Sequence, residues 1–209
     1  MFDLYVVTDR ALSHGLSDAE VARLAYAGGA DVVQLRMKAE DGKVMLEQAK
    51  IIKELADEYA KYFIINDRVD VAMLSDADGV HLGQSDIPVA EARRLLGDDK
   101  IIGVSVHNVG EAVTAMNDGA DYLGVGSIFT TSTKLDAQQG LGLDAIYCIK
   151  QAVDLPIVAI GGINRGNITD VIRAGADSVA VASAVVGQPD IEKAAHELRD
   201  MILKARLRY

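Results

Sequence analysis

With one cysteine, Cys148, this chain of 209 residues cannot close an internal disulfide or build a multi-cysteine zinc site. That usage suits a reducing compartment, and the opening MFDLYVVTDR lacks a charged-then-apolar leader, so the expected location is the cytoplasm. Long apolar runs are missing too, since none reaches the roughly 18 residues that a membrane span requires. Cations are scarce. Lys and Arg number 21 against 31 Asp and Glu, and the formal charge of -10 argues against a nucleic-acid or membrane-surface partner. Any anionic substrate must therefore be held by local Arg, Lys, N–H groups or a metal. No HExxH, Walker loop or Ser–His–Asp arrangement occurs. No linker or low-complexity stretch divides the chain, so residues 1–209 read as one domain.

What the chain does have is alternation. Short Val/Ile/Leu-rich runs, LYVVT (4–8), DVVQL (31–35), YFIIN (62–66), DGVHL (78–82), IIGVS (101–105), YLGVG (122–126), PIVAI (156–160) and SVAVA (178–182), each precede a helical pattern. Nearly continuous apolar runs are expected of parallel strands covered on both faces. Ser17 to Glu20 reads as a capping box opening the first helix, and a long helix is expected over 41–60. AGGADVVQL, DADGVHLG, NDGADYLGVG and RAGADSVAVAS repeat one device, a helix ending near Gly and a strand entered through Asp. Glycine there suits a left-handed cap. Eight such βα units predict an α/β fold, a single (β/α)8 TIM barrel. An open doubly wound sheet would normally show a glycine-rich fingerprint after its first strand, and LYVVTDRAL has none. Cys148, in DAIYCIKQAV, and Met45, Met73, Met116 and Met201 are expected to be packing residues.

In such a barrel, residues just past the strand C-termini share one mouth. Arg36, Lys38 and Lys134 then converge from separate strand ends, a set best used by a diphosphate. Asp67 and Asp86 follow neighbouring strands. Each alone could be a helix N-cap, but as a pair beside three cations they suit Mg²⁺ with a substrate diphosphate. Gly161-Gly162 and Ala182-Ser183 follow the last two strands, the usual phosphate-monoester position. The loop Thr131, Ser132, Thr133, Lys134 adds hydroxyls and an ammonium. Two phosphate sites in one mouth imply two phosphorylated small-molecule substrates and a transfer between them. His107 falls at the mouth, in position to orient substrate, and His81 reads as a satisfied strand residue.

The segments QLRMK, FIINDRVDVA, ADGVHLGQSD, IGVSVH, DYLGVGSIFTTSTK, AIGGI and VAVAS, in this order, resemble the thiamine phosphate synthase family over essentially the whole chain. The resemblance implies a transferase that joins hydroxymethylpyrimidine diphosphate to a thiazole phosphate, releasing pyrophosphate. It implies that Gln34, Leu35, Arg36, Met37, Lys38 and Asn66 bind the pyrimidine diphosphate, with Arg36, Lys38, Ser105 and Lys134 as the catalytic set on its phosphates. Thr131, Ser132, Thr133, Gly162, Ala182 and Ser183 would hold the thiazole phosphate. Asp67 and Asp86 would hold Mg²⁺, with Mn²⁺ as the alternative ion. Thiazole tautomerases share the barrel but lack much of this diphosphate and metal set. Members of the family often read GPIFPT where this chain has Gly126-Ser127-Ile128-Phe129-Thr130-Thr131, so a less rigid loop is expected. Self-association is left open.

Overall fold

The computed structural model describes residues 2–130 and 140–207. Eight strands alternate with eight helices: β1 (Leu4–Val7), α1 (Asp18–Ala27), β2 (Val32–Leu35), α2 (Gly42–Tyr59), β3 (Tyr62–Asn66), α3 (Val69–Leu74), β4 (Gly79–Leu82), α4 (Val89–Leu96), β5 (Ile101–Val106), α5 (Val109–Asn117), β6 (Tyr122–Val125), α6 (Asp144–Lys150), β7 (Ile157–Ile160), α7 (Ile168–Arg173), β8 (Ser178–Val181) and α8 (Ile191–Arg206). All neighbours pair in parallel, and β8 returns to β1 with Leu4 opposite Val179, closing a (β/α)8 barrel as the alternation predicts.

Side chains divide into two cores because strand residues alternate faces. The larger core lies between barrel and helices and buries Val33, Leu35, Phe63, Ile65, Leu123, Ile52, Leu198 and Ile202 completely. Each such burial contributes about 1.5–3 kcal/mol. The smaller core fills the barrel itself with Tyr5, Val7, Val32, Ile64, Tyr122, Val158 and Ala180.

The local signals act as the sequence suggests, with exceptions. Ser17 and Glu20 form the capping box of α1. Gly29, Gly119 and Gly175 take positive φ (93°, 94° and 107°), as the repeated Gly–Ala–Asp device predicts. In the second repeat the left-handed residue is Asp76 (φ 52°), not Gly79, because Gly79 already lies in β4, where a Cβ would sit 2.0 Å from the Ile101 carbonyl oxygen. Cys148 is exposed, contrary to expectation, since α6 turns Ile146 and Ile149 inward and leaves its other face to solvent. Met73 is likewise exposed on the short α3, where Val69, Val71 and Ala72 are the buried residues.

The described part of the chain after β6 is hydrogen-bonded on both sides, and the rest of the loop expected to be less rigid lies outside the described residues. Ile128 and Phe129 donate to the carbonyls of Ile160 (2.9 Å) and Gly161 (3.0 Å), extending the pairing with β7. On the other side, Leu141 and Gly142 donate to Ser127 (2.9 Å) and Ile128 (3.0 Å). The described residues on both sides of 131–139 are thus hydrogen-bonded to each other or to the chain after β7.

Candidate active site

The strand C-termini converge on a cavity with two unlike walls. One is polar, built from Thr8, Asp9, Gln34, Arg36, Asn66, His81 and Ser105; the other carries Val158, Ile160, Ile163 and Ala182. Gly162 and Ser183 also line it. Of the residues proposed from sequence, Gln34, Arg36, Asn66, Ser105, Gly162, Ala182 and Ser183 thus reach one cavity. Thr131, Ser132, Thr133 and Lys134 lie outside the described residues.

The β2 end shows how alternation sorts its segment. Gln34 points into the barrel, where its Nε2 donates to the Tyr5 hydroxyl at 2.7 Å. Leu35 and Met37 turn into the core beneath the helices, so only their backbone can meet a ligand. Arg36 returns to the mouth. Its N–H donates to the buried Thr8 hydroxyl (3.2 Å), and its guanidinium lies 3.8 Å from Asp9. Lys38 does not line the cavity, and neither do Asp67 and Asp86; the Lys38 ammonium lies 3.0 Å from Asp67.

Neither aspartate is a helix cap. Arg68 and Pro88 occupy the cap positions of α3 and α4, and neither makes a side-chain cap bond. Asp67 instead sits at the apex of a tight turn closed by the Arg68 N–H to the Asn66 carbonyl (2.7 Å), with φ of 63°, a strained value for a residue with a side chain. Asp86 accepts from the Gly83 N–H at 2.7 Å. Burial pushes the Asp86 carboxyl above its usual range, and the nearby Asp67 pushes the same way, against the pull of the Gly83 N–H and Lys38. Among the described residues no group of three or more His, Cys, Asp or Glu gathers to hold a metal. Two hard carboxylates with open coordination fit a small divalent cation that takes its other ligands from substrate oxygens and water. Lys38 would share Asp67 with it.

The loops after β7 and β8 are held from behind. The Gly162 carbonyl accepts from Asn164 Nδ2 (3.1 Å) and Asn167 Nδ2 (3.0 Å). Gly162 needs its missing side chain: its φ is 65°, and a Cβ would come within 2.8 Å of Phe129 and Thr130. Glycine here thus serves packing between two mouth loops as well as any ligand. The Ser183 carbonyl accepts from Gln188 Nε2 at 3.1 Å. His107 is committed to Glu111, whose carboxylate takes both its N–H and its ring Nδ1 (2.8 and 2.9 Å), and it does not line the cavity.

Sequence reasoning put Thr8, Asp9 and Ser127 at strand ends without giving them a role, and it missed Tyr5 inside the barrel. Gln84, also without an assigned role, holds the Ser105 carbonyl with its Nε2 at 2.7 Å. Strand-end position brings Thr8, Asp9 and Gln84 to the mouth but says nothing of what each one holds. Nothing in a run such as LYVV says which residues face inward.

The sequence model of the family described as thiamine monophosphate synthase matches residues 4–185. A thiamine-phosphate synthase of Chloroflexus aurantiacus is 54% identical over 199 residues, covering 95% of this chain and 92% of that protein. Another, of Methanoculleus marisnigri, is 51% identical, with 98% and 97% covered. Among solved structures, a thiamine phosphate pyrophosphorylase from Pyrococcus furiosus superposes with a TM-score of 0.91 at 43% identity, covering 98% of this chain and 96% of that one. A 3-hexulose-6-phosphate synthase, at 21% identity and a TM-score of 0.66, shares the fold alone.

Proposed function

This chain belongs to the thiamine monophosphate synthase family, a transferase forming thiamine phosphate in thiamine biosynthesis, and on that premise we propose how its mouth divides the work. The polar wall takes the diphosphate of hydroxymethylpyrimidine diphosphate, and the apolar wall with the β7 and β8 loops takes the thiazole phosphate. The observation that carries this is one cavity lined both by Arg36, Asn66 and Ser105, from the ends of β2, β3 and β5, and by Val158, Ile160 and Ile163, from β7 and the chain after it.

The C–O bond between the pyrimidine methyl carbon and the diphosphate breaks first, and its electron pair leaves with the diphosphate. The electron-rich aminopyrimidine spreads the resulting positive charge. The thiazole nitrogen then donates its lone pair to that carbon, forming the C–N bond of a thiazolium product. That nitrogen has no proton to lose, so no general base is required. Arg36, Lys38 and Ser105 offer N–H and O–H donors to the departing oxygens, and Lys134 completes this set. Asp67 and Asp86 would hold Mg²⁺ or Mn²⁺, whose charge helps neutralise the leaving diphosphate. Gly162, Ala182 and Ser183, with Thr131, Ser132 and Thr133, hold the thiazole phosphate so that its ring nitrogen lies in line with the reacting carbon.

The test is a product assay with both substrates and Mg²⁺, an EDTA control and an Asp67→Ala control. Thiamine phosphate and pyrophosphate should appear together and vanish in both controls. Isomerisation of the thiazole without coupling would overturn the reading, and EDTA-insensitive coupling would remove its metal.

A further inference from the structure

A chain of polar side chains crosses the inside of the barrel, where a core would ordinarily be apolar. Gln34 Nε2 donates to the Tyr5 hydroxyl (2.7 Å), which meets the Tyr122 hydroxyl (3.0 Å). The Tyr122 hydroxyl meets His81 Nδ1 (2.9 Å), and His81 Nε2 meets Ser105 Oγ (2.9 Å). Five strands, β2, β1, β6, β4 and β5, each supply one member. Room for the rings is made by glycine: a Cβ on Gly103 would lie 2.0 Å from the Tyr122 ring, and one on Gly124 would lie 2.8 Å from His81 Cε1.

Proton counting gives this chain a direction. Burial raises both phenol pKa values, so each tyrosine keeps its single proton. With the Gln34 amide donating to it, Tyr5 spends its proton on the Tyr122 oxygen, and Tyr122 spends its own on His81 Nδ1. The imidazole proton is then on Nε2, facing Ser105 Oγ. Ser105 accepts there, and its hydroxyl proton is left to point into the mouth. The reverse direction would set the Tyr5 hydroxyl and the Gln34 amide against each other as two donors.

We propose that Gln34, Tyr5, Tyr122 and His81 act as a polarised relay that fixes His81 as its Nε2–H tautomer and so holds Ser105 as a hydrogen-bond donor toward the anionic substrate. Tyr122 and His81 are positioning residues; of this relay, only Ser105 meets the departing diphosphate. The role given to Ser105 rests on the reading above, whereas the tautomer does not.

The experiment is ¹⁵N–¹H correlation of the His81 ring in the full chain, with steady-state kinetics of Tyr122→Phe, Ser105→Ala and the double variant. Wild type should show a protonated Nε2 and a bare Nδ1, and Tyr122→Phe should show the two tautomers exchanging. Tyr122→Phe should lower kcat about tenfold, the effect of one hydrogen bond, with KM for the thiazole phosphate unchanged. It should add no further loss once Ser105 is Ala. A protonated Nδ1 in wild type, or additive losses in the double variant, would overturn the relay. If Tyr122→Phe fails to fold, Tyr5→Phe interrupts the same chain one bond earlier. Failure of the wild type to make thiamine phosphate would sink the enzymatic reading while leaving the tautomer result standing.

Discussion

The two ends of this barrel use the same residue type in opposite ways. At the N-terminal end, Asp31, Asp78, Asp121 and Asp177 stand just before β2, β4, β6 and β8. Each reaches back to the preceding odd-numbered strand and accepts a backbone N–H, from Leu4 and Asp3, Phe63, Ile102 and Ile157 respectively. Each also pairs with a cation: Lys61, Lys53 (which Asp57 also engages), Arg93 and Lys150. The Gly–Ala–Asp echo in the sequence is therefore a clasp repeated around the barrel floor. At the C-terminal end, Asp67 and Asp86 crowd each other, and the nearby Lys38 pairs with Asp67 alone, itself in a strained turn. Carboxylates satisfied by the protein hold the fold, and carboxylates left under-compensated are ready for a ligand.

Breaking the mouth pair should produce the largest effect. Asp67→Ala or Asp86→Ala is expected to lower thiamine phosphate formation by at least roughly 100-fold, from lost charge neutralisation at the leaving group. Their melting temperatures should change little, because the relieved repulsion offsets the lost Gly83 N–H and Lys38 contacts. A drop in melting temperature that matches the activity loss would erase the contrast between the ends.

Breaking a clasp should do the reverse. Asp177→Ala orphans the Ile157 N–H and Lys150 and should cost about 1–3 kcal/mol in urea unfolding, with kcat within about a factor of two of wild type by the usual independence of distant sites. A smaller, local change sharpens the mouth side: Thr8→Val removes the acceptor for the Arg36 N–H and should raise KM for the pyrimidine diphosphate about threefold to tenfold.

The gentlest probe is pH. Burial works to raise the Asp31 carboxyl, but the Lys61 hydrogen bond and the Asp3 and Leu4 N–H groups outweigh it and leave it below its ordinary value of 3.8. A depressed folded-state pKa stabilises the fold above the unfolded value, and this contribution fades as pH falls through the folded one. Acid unfolding of Asp31→Asn should therefore be flatter than that of wild type below about pH 4, the ordinary carboxylate range. Identical acid limbs would show that the Asp31 clasp carries no charge-dependent stability.

Much of this was legible before folding. Period and punctuation gave the eight strands, the capping box of α1 and the long α2, because backbone geometry and capping act over a few residues. Position just past a strand was enough to gather Arg36, Asn66, Ser105, Gly162 and Ser183 into one cavity. At Leu35 and Met37 alternation sends the side chains beneath the helices and leaves the backbone to face the mouth. His107, at another strand end, is held by Glu111 and does not line the cavity.

The sequence by itself determined the α/β alternation, the closed barrel and the family, since strand length, turn residues and motif order are local properties. Only the tertiary structure decided which way each strand residue faces. In strands buried on both sides, hydrophobicity is the same inside and out, so Tyr5 and Tyr122 look like any core residues until the barrel closes. Their meeting with Gln34, His81 and Ser105 joins five strands across as many as 117 residues between Tyr5 and Tyr122. Barrel register sets that meeting, and glycine at 103 and 124 leaves the space it needs.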